Sequence, residues 1–78
     1  MTETELMKDF GDNLKQLLAE SSMTQHILSK RSGVSEPSIS CYIRGERMPS
    51  IKHVLNIAYA LKCDIYDLIT VDGKEKIE

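Results

Sequence analysis

The sequence predicts an all-α domain in which five short helices form a compact bundle around one core. Apolar residues recur every three or four positions along most of the chain, which is the spacing of one face of a helix. Ser, Thr or Asp precedes each apolar segment, where it can accept hydrogen bonds from the free N–H groups of a first helical turn. With 78 residues, 41% of them hydrophobic, the chain can bury one small core.

The first two helices are predicted from their caps and their apolar spacing. Thr2 and Glu5 have the spacing of a capping box, and the first helix is expected to end near Glu20. Thr24 is placed to cap a second, short helix, and Gly33 can end it in a left-handed conformation. The inward stripe of the first helix comprises Leu6, Phe10, Leu14, Leu17 and Leu18.

The remaining helices are predicted in the same way. Ser35 caps the third helix, Pro37 falls in its first turn, where a missing N–H is tolerated, and Gly45 ends it. Ser50 caps the fourth helix and Asp64 the fifth. The inward residues are expected to be Ile51, Val54, Leu55, Ala58 and Leu61 in the fourth helix, and Ile65, Leu68 and Ile69 in the fifth.

The chain is interpreted as one domain, residues 1–70, followed by a C-terminal tail at 71–78. The tail holds an Asp-Gly pair typical of hairpins, but its flanks do not alternate, which favours a frayed end. No apolar run has the length of a membrane span, and the acidic N-terminus is unlike a signal peptide. With two cysteines, Cys41 and Cys63, a disulfide scaffold is not expected, and a cytoplasmic location is.

No residue pattern indicates an enzyme, a metal or a cofactor. His26 and His53 do not stand at zinc-ligand spacing from the two cysteines. The candidate serine hydroxyls fall at helix caps, and the carboxylates are scattered over polar faces. We therefore expect no catalytic site, no metal site and no bound cofactor.

The distribution of charge is more informative than the net charge of −2. Residues 1–22 have a net charge of −3 and residues 54–78 one of −2, whereas residues 23–53 carry five Lys or Arg against two Glu, a net charge of +3. His26 and His53 in this middle third are further possible donors. The pattern favours a nucleic-acid partner, with chance clustering on a solvated face as the alternative.

Two short helices separated by Ser-Gly-Val have the spacing of a helix-turn-helix, at about residues 24–44. The run from residue 23 to 50, M-T-Q-x-x-L-S-K-R-S-G-V-S-x-x-x-I-S-x-Y-x-R-G-E-R-M-P-S, resembles the phage-repressor/Cro (XRE-type) family of DNA-binding proteins. The resemblance covers residues 10–69. It implies a lambda-repressor-like fold whose third helix, at about 35–44, enters the major groove of double-stranded DNA.

The resemblance also implies two sets of DNA-contacting residues. Those matching base-facing positions are Glu36, Pro37, Ser40 and Cys41, and those placed for phosphates are Gln25, Ser35, Arg44, Arg47 and Lys52. Gln25 begins a helix, where free N–H groups and the helix dipole favour an anion. Arg, Asn and Gln are absent from positions 36–41, so we expect modest direct readout supplemented by DNA shape, or a base contact from Arg44 or Arg47.

Three positions depart from or follow the family pattern in ways that predict structure. The family often has an Arg–Glu ion pair where this chain has Leu18 and Ile43, so we expect these two aliphatic side chains to touch. Lys62 stands where Gly is frequent, which predicts a strained left-handed residue. Tyr42 occupies a position at which the family buries a large apolar residue, so it is expected in the core.

The function that this pattern favours is a sequence-specific transcriptional regulator, a repressor that occupies a palindromic operator. Because one short helix reads few base pairs, we expect a homodimer at least on DNA. Candidate interface residues are Ile65, Ile69 and Val71, although these could instead complete the monomer core. A protein-interaction module or an antitoxin-like regulator on the same fold is the alternative.

Overall fold

The computed structural model describes residues 2–69 of the chain. Within that range the predicted all-α architecture is confirmed, since five helices and no strand occur. The helices are α1 (Glu3–Glu20), α2 (Gln25–Ser32), α3 (Glu36–Ile43), α4 (Ile51–Leu61) and α5 (Ile65–Ile69). The predicted tail at 71–78, with Val71 and the Asp-Gly pair, lies outside the described residues.

Each of the first four helices begins at the predicted hydroxyl side chain. The capping box is present, because Glu5 N donates to Thr2 Oγ1 at 3.2 Å and Thr2 N donates to Glu5 Oε1 at 2.8 Å. Before α5 the backbone N–H of Asp64 donates to Asp67 Oδ2 at 3.0 Å. The other three caps are Thr24, Ser35 and Ser50. Local sequence therefore sets where these helices start.

The core receives side chains from all five helices. Helix α1 packs against α3 and α5, and α2 packs against α3 and α4. The largest fully buried side chains are Leu14, Val34, Leu28, Ile39, Ile57 and Leu68. Burying each such aliphatic side chain stabilises the fold by roughly 1.5–3 kcal/mol. Helix α3 is thus packed mainly against α1 and α2.

Tyr42 lies in the core, as predicted. Its ring is buried and meets Phe10 edge to face, with the ring centroids 6.0 Å apart. Its hydroxyl is 2.7 Å from Nδ1 of His53, in the first turns of α4. This contact satisfies a buried hydroxyl and ties α3 to α4.

Three apolar residues predicted to point inward are exposed instead. Ile51 is 72% exposed, Leu55 52% and Ile69 37%. The other predicted inward residues of α4 are buried, together with two more: Val54, Ile57, Ala58, Ala60 and Leu61. Because apolar residues extend around most of α4, their spacing did not distinguish the side that packs on α2 and α5 from the side that faces outward.

Gly11 allows α1 to cross the C-terminal end of α3 with the two backbones in near contact. A Cβ atom at Gly11 would lie 2.7 Å from the carbonyl oxygen of Ile43 and would also meet the carbonyl oxygen of Tyr42. The lack of a side chain at this position therefore sets the distance between the two helices. Helix α3 itself ends at Ile43, two residues before the predicted Gly45.

Of the two predicted departures from the family pattern, the one at Lys62 is confirmed and the one at Leu18 and Ile43 is not yet tested. Lys62 is left-handed, with φ 56° and ψ 43°, which confirms the expected strain at the end of α4. Leu18 is buried, and Ile43 is half-buried against the core. Both side chains are thus accommodated in apolar surroundings, while their direct contact stays a prediction.

Candidate nucleic-acid interface

The turn between α2 and α3 is rigid because it is built into the core. Gly33 has φ 77° and ψ 6°, and no atom lies within 4 Å of a Cβ added there, so its backbone conformation rather than lack of space favours glycine. Val34 is buried, and its N–H donates to the Ser32 hydroxyl at 3.1 Å. These contacts fix the crossing of α2 and α3.

The outward side of α3 is left uncovered by the other described helices. Ile39 and Tyr42 face the core, and Pro37, Cys41 and Arg44, spaced one helical turn apart, lie on the opposite side. We call the four predicted base-facing side chains the reading face: Glu36, Pro37, Ser40 and Cys41. Glu36 and Pro37 are exposed, and Ser40 and Cys41 are half-buried.

Along the α2 edge of the reading face, Ser40 and Gln25 are joined. The Ser40 hydroxyl donates to Gln25 Oε1 at 2.6 Å, and both side chains are half-buried. Because the carbonyl oxygen of Gln25 accepts from Ser40, its amide nitrogen is the group suited to donate to a phosphate. A residue predicted for phosphate binding is therefore positioned by one predicted to face the bases.

A second link along the same edge joins His26 of α2 to Glu36 of α3. His26 Nδ1 and Glu36 Oε1 lie 3.2 Å apart, and both side chains are largely exposed. The pair connects residues ten positions apart in sequence, on two helices. It places a titratable ring directly beside the negative charge of the reading face.

Two arginines border the opposite edge. Arg44 Nη2 is 3.7 Å from Cys41 Sγ, and Arg47 Nη2 is 4.0 Å from the same atom. Arg47 Nη1 also donates to Ser38 Oγ at 3.3 Å. The structure thus brings both predicted phosphate-binding arginines to α3, although Arg47 lies in the loop after it.

Arg44 has an acidic partner that competes with any phosphate. Its Nε donates to Glu46 Oε2 at 3.0 Å. This hydrogen bond and the accompanying charge attraction raise the pKa of Arg44 and lower the pKa of Glu46 below the ordinary value for a glutamate. Because the pair is exposed to solvent, it is weak, and a phosphate could replace Glu46.

The other two predicted phosphate residues are placed differently. The Ser35 hydroxyl accepts from Ser38 N and donates to Ser38 Oγ at 3.0 Å, so it is already used in capping α3. Lys52 is exposed in the first turn of α4, on another helix from the rest of the set. The predicted DNA-contacting residues are therefore centred on α3, and Lys52 lies apart from them on α4.

Sequence reasoning missed Ser38 and Glu46 as members of this network, and it named His26 only as a further possible donor, without its partner Glu36. Glu46 lies two residues after Arg44, and that spacing of opposite charges was a readable signal. Ser38 follows the cap residue by three positions, which is also a readable spacing. The contact of His26 had no signal along the chain, because its partner is on another helix.

Residues 2–69 contain no group of three or more His, Cys, Asp or Glu side chains able to hold a metal ion. Over the same range, no helix combines the length and the apolar character needed to cross a membrane.

A short, uncovered helix held by a glycine turn and bordered by cations defines a helix-turn-helix domain. Sequence comparison gives the particular family: the profile of the Cro/C1-type HTH DNA-binding domain matches residues 13–74, most of the chain. The chain belongs to this XRE-type family of DNA-binding transcriptional regulators, which is not a family of enzymes.

Similar proteins cover nearly the whole described fold. The uncharacterized HTH-type transcriptional regulator YqaE of Bacillus subtilis is 28% identical over 68 residues, 87% of this chain, and the chain spans 59% of that relative's length. A second such regulator, y4dJ of Sinorhizobium fredii, is 32% identical, covering 85% of this chain and 86% of the relative. The restriction-modification controller protein C.AhdI from Aeromonas hydrophila superposes with a TM-score of 0.77 at 27% identity, covering 80% of this chain and 94% of C.AhdI.

Proposed function

We propose that this chain is a sequence-specific repressor that inserts α3 into the major groove and blocks transcription by occupying its operator. The observation that carries the proposal is the uncovered reading face with residues predicted to bind phosphates on both sides of it. Gln25 lies along one edge, and Arg44 and Arg47 lie along the other. The major groove, about 12 Å wide, admits a single helix, and flanking cations can then reach both phosphate rails.

The two residue sets take different roles in this proposal. On the reading face, Glu36 accepts from a cytosine amino group, Pro37 and Cys41 pack against thymine methyl groups, and Ser40 accepts from a base while donating to Gln25. These contacts select sequence. The residues that bind phosphates and set the register are Gln25, Arg44 and Arg47, with Ser35 and Lys52 at the two ends of the interface.

We further propose that two copies bind a palindromic operator as a homodimer. Five exposed large apolar or aromatic side chains on α4 and α5 support this, and we call them the apolar face: Ile51, Leu55, Tyr59, Tyr66 and Ile69. A groove of about 260 Å³ joins its α4 and α5 parts, lined by Phe10, Ile51 and Ile65 among others. Exposed apolar surface of this kind marks an interaction site, and two half-sites about one helical turn apart would give the required specificity.

The apolar face also favours the second candidate function, a protein-interaction module or antitoxin-like regulator. In that case the main partner would be another protein held by apolar contact, and α3 would contribute little. The dependence of binding affinity on salt concentration distinguishes the two functions. Binding through Lys and Arg to phosphates weakens steeply as salt is added, whereas apolar association does not.

Random-site selection with the purified chain tests the proposed function directly. We expect a palindromic motif from the unchanged protein. Arg44→Ala should retain the motif while lowering affinity, and Cys41→Ala should change the motif. The matched control is Lys62→Asn, which removes one positive charge at the far end of α4 and keeps a residue that tolerates the left-handed conformation; it should alter neither result.

Two outcomes would count against the proposal. Absence of any selected motif would make the protein-interaction module the better function. A motif without two-fold symmetry, bound by a single copy, would remove the homodimer and leave a monomeric regulator.

A further inference from the structure

The contact between His26 and Glu36 has no part in the roles proposed above. Nδ1 of His26 and Oε1 of Glu36 are 3.2 Å apart, across the two helices of the helix-turn-helix. The side chains are 63% and 48% exposed, so both remain open to a ligand that approaches α3. The pair therefore lies on the surface that we propose binds DNA.

Glu36 alone would be a poor group to present to a duplex. Its charge repels phosphates, and an exposed glutamate samples several rotamers. As the first residue of α3, however, it lies where the helix dipole stabilises a negative charge. A carboxylate at this place is useful on DNA only if its position is fixed and part of its charge is offset.

His26 provides both effects. With a proton on Nδ1, the ring donates to Oε1 and restricts the carboxylate, leaving Oε2 as an acceptor for a base. When the ring carries a second proton, the pair becomes an ion pair, and the net charge presented to the phosphates falls to about zero.

We propose that His26 is a positioning residue that holds Glu36 so that its free carboxylate oxygen reads a cytosine amino group in each half-site. This inference rests on the proposed function, because it assigns one specific reader within the same interface. Cytosine offers an N–H donor in the major groove, whereas thymine places an acceptor oxygen at the corresponding position. A fixed carboxylate therefore accepts from cytosine and is repelled by thymine.

Three substitutions in the full chain separate positioning from mere surface packing. His26→Ala removes the contact. His26→Asn places an amide N–H where Nδ1 was, so it can still hold Glu36. Glu36→Gln keeps the size and removes the charge of the reader itself. Thermal unfolding of each variant checks that the fold is retained.

Binding is measured on the selected site and on a site in which the cytosine is replaced by thymine. The unchanged protein should prefer cytosine by roughly tenfold, the usual order for one base-specific contact. His26→Ala should reduce this preference to about threefold or less, and His26→Asn should restore it. Glu36→Gln should abolish it and favour adenine at that position.

Failure of the proposed function and failure of this inference would give different results. If the unchanged protein selects no motif, the proposed function and this inference fall together. If a motif is selected and Glu36→Gln alters no position in it, Glu36 is not a reader; this inference and the role given to Glu36 above then fall, while the proposed repressor function stands. If His26→Ala keeps the cytosine preference, or if His26→Asn does not restore a lost preference, His26 does not position Glu36.

Discussion

The outward sides of α3 and α4 are both exposed, yet their side chains differ in size and polarity. On α3 the outward side chains are short or polar and have arginines beside them, with Cys41 lying between Arg44 and Arg47. On α4 they are bulky and apolar, and Tyr59 is 85% exposed. Exposure alone therefore does not identify a binding surface, whereas the type of side chain indicates which kind of partner each surface suits.

The two surfaces would also bind their partners through different kinds of interaction. Contacts at the reading face involve charges in solvent, so their strength depends on salt. Contacts at the apolar face involve removal of hydrocarbon from water, which depends little on salt. If the proposed function is correct, the first surface sets affinity for DNA and the second sets assembly, and substitutions should affect one without the other.

The largest effect is expected from disturbing the support beneath α3. Gly11→Ala should destabilise the fold by about 3 kcal/mol, because the added Cβ would meet the backbone carbonyls at the end of α3. Urea unfolding measures the change, with Lys15→Ala on the exposed side of α1 as the control. A loss below about 0.5 kcal/mol, the range of an ordinary surface substitution, would mean that the two helices separate easily.

Next in size is the effect of a polar substitution on the apolar face. Tyr59→Ser should raise the dimer dissociation constant by roughly tenfold or more, since buried aromatic residues dominate interface energies. Sedimentation equilibrium measures it, and Arg44→Ala serves as the control on the other surface. Unchanged self-association would exclude Tyr59 from the dimer interface.

A smaller effect is expected when a cation of the reading face is removed. Arg44→Ala should weaken DNA binding by about three- to tenfold and reduce the slope of log affinity against log salt by about 1. On a single half-site, where assembly plays no part, Leu55→Ser should leave both quantities unchanged. Equal losses from the two substitutions would contradict the division of the molecule into two surfaces.

The smallest effect concerns the acid that competes for Arg44. Glu46→Gln should strengthen DNA binding by about two- to threefold, because it removes one repulsive charge and releases the guanidinium. Since pairing lowers the pKa of Glu46, the carboxylate stays charged below the ordinary glutamate range. The difference in DNA affinity between the unchanged protein and Glu46→Gln should therefore persist into mildly acidic buffer. It should vanish only as the pH falls through the lowered pKa of Glu46. A binding titration that shows weaker affinity would give Glu46 a supporting role instead.

The sequence predicted most accurately what depends on neighbouring residues. The caps at Thr2, Thr24, Ser35 and Ser50 were readable because a cap bonds to a backbone N–H three residues away. The helix-turn-helix spacing and the family resemblance followed from the same short-range order. Burial was read less well, since Ile51 and Leu55 have the same spacing as the buried residues of α4 and face outward.

By itself, then, the sequence determined where the helices start, which turn joins α2 to α3 and which family the chain resembles. Tertiary structure alone decided which side of α4 is covered, how closely Gly11 brings α1 to α3, and which side chains meet across helices, such as Ser40 with Gln25 and His26 with Glu36. The physical reason is the distance along the chain over which each interaction acts. Capping and periodicity act within one turn of the chain, whereas these contacts arise only when the packing of the core sets the helices at fixed distances and angles.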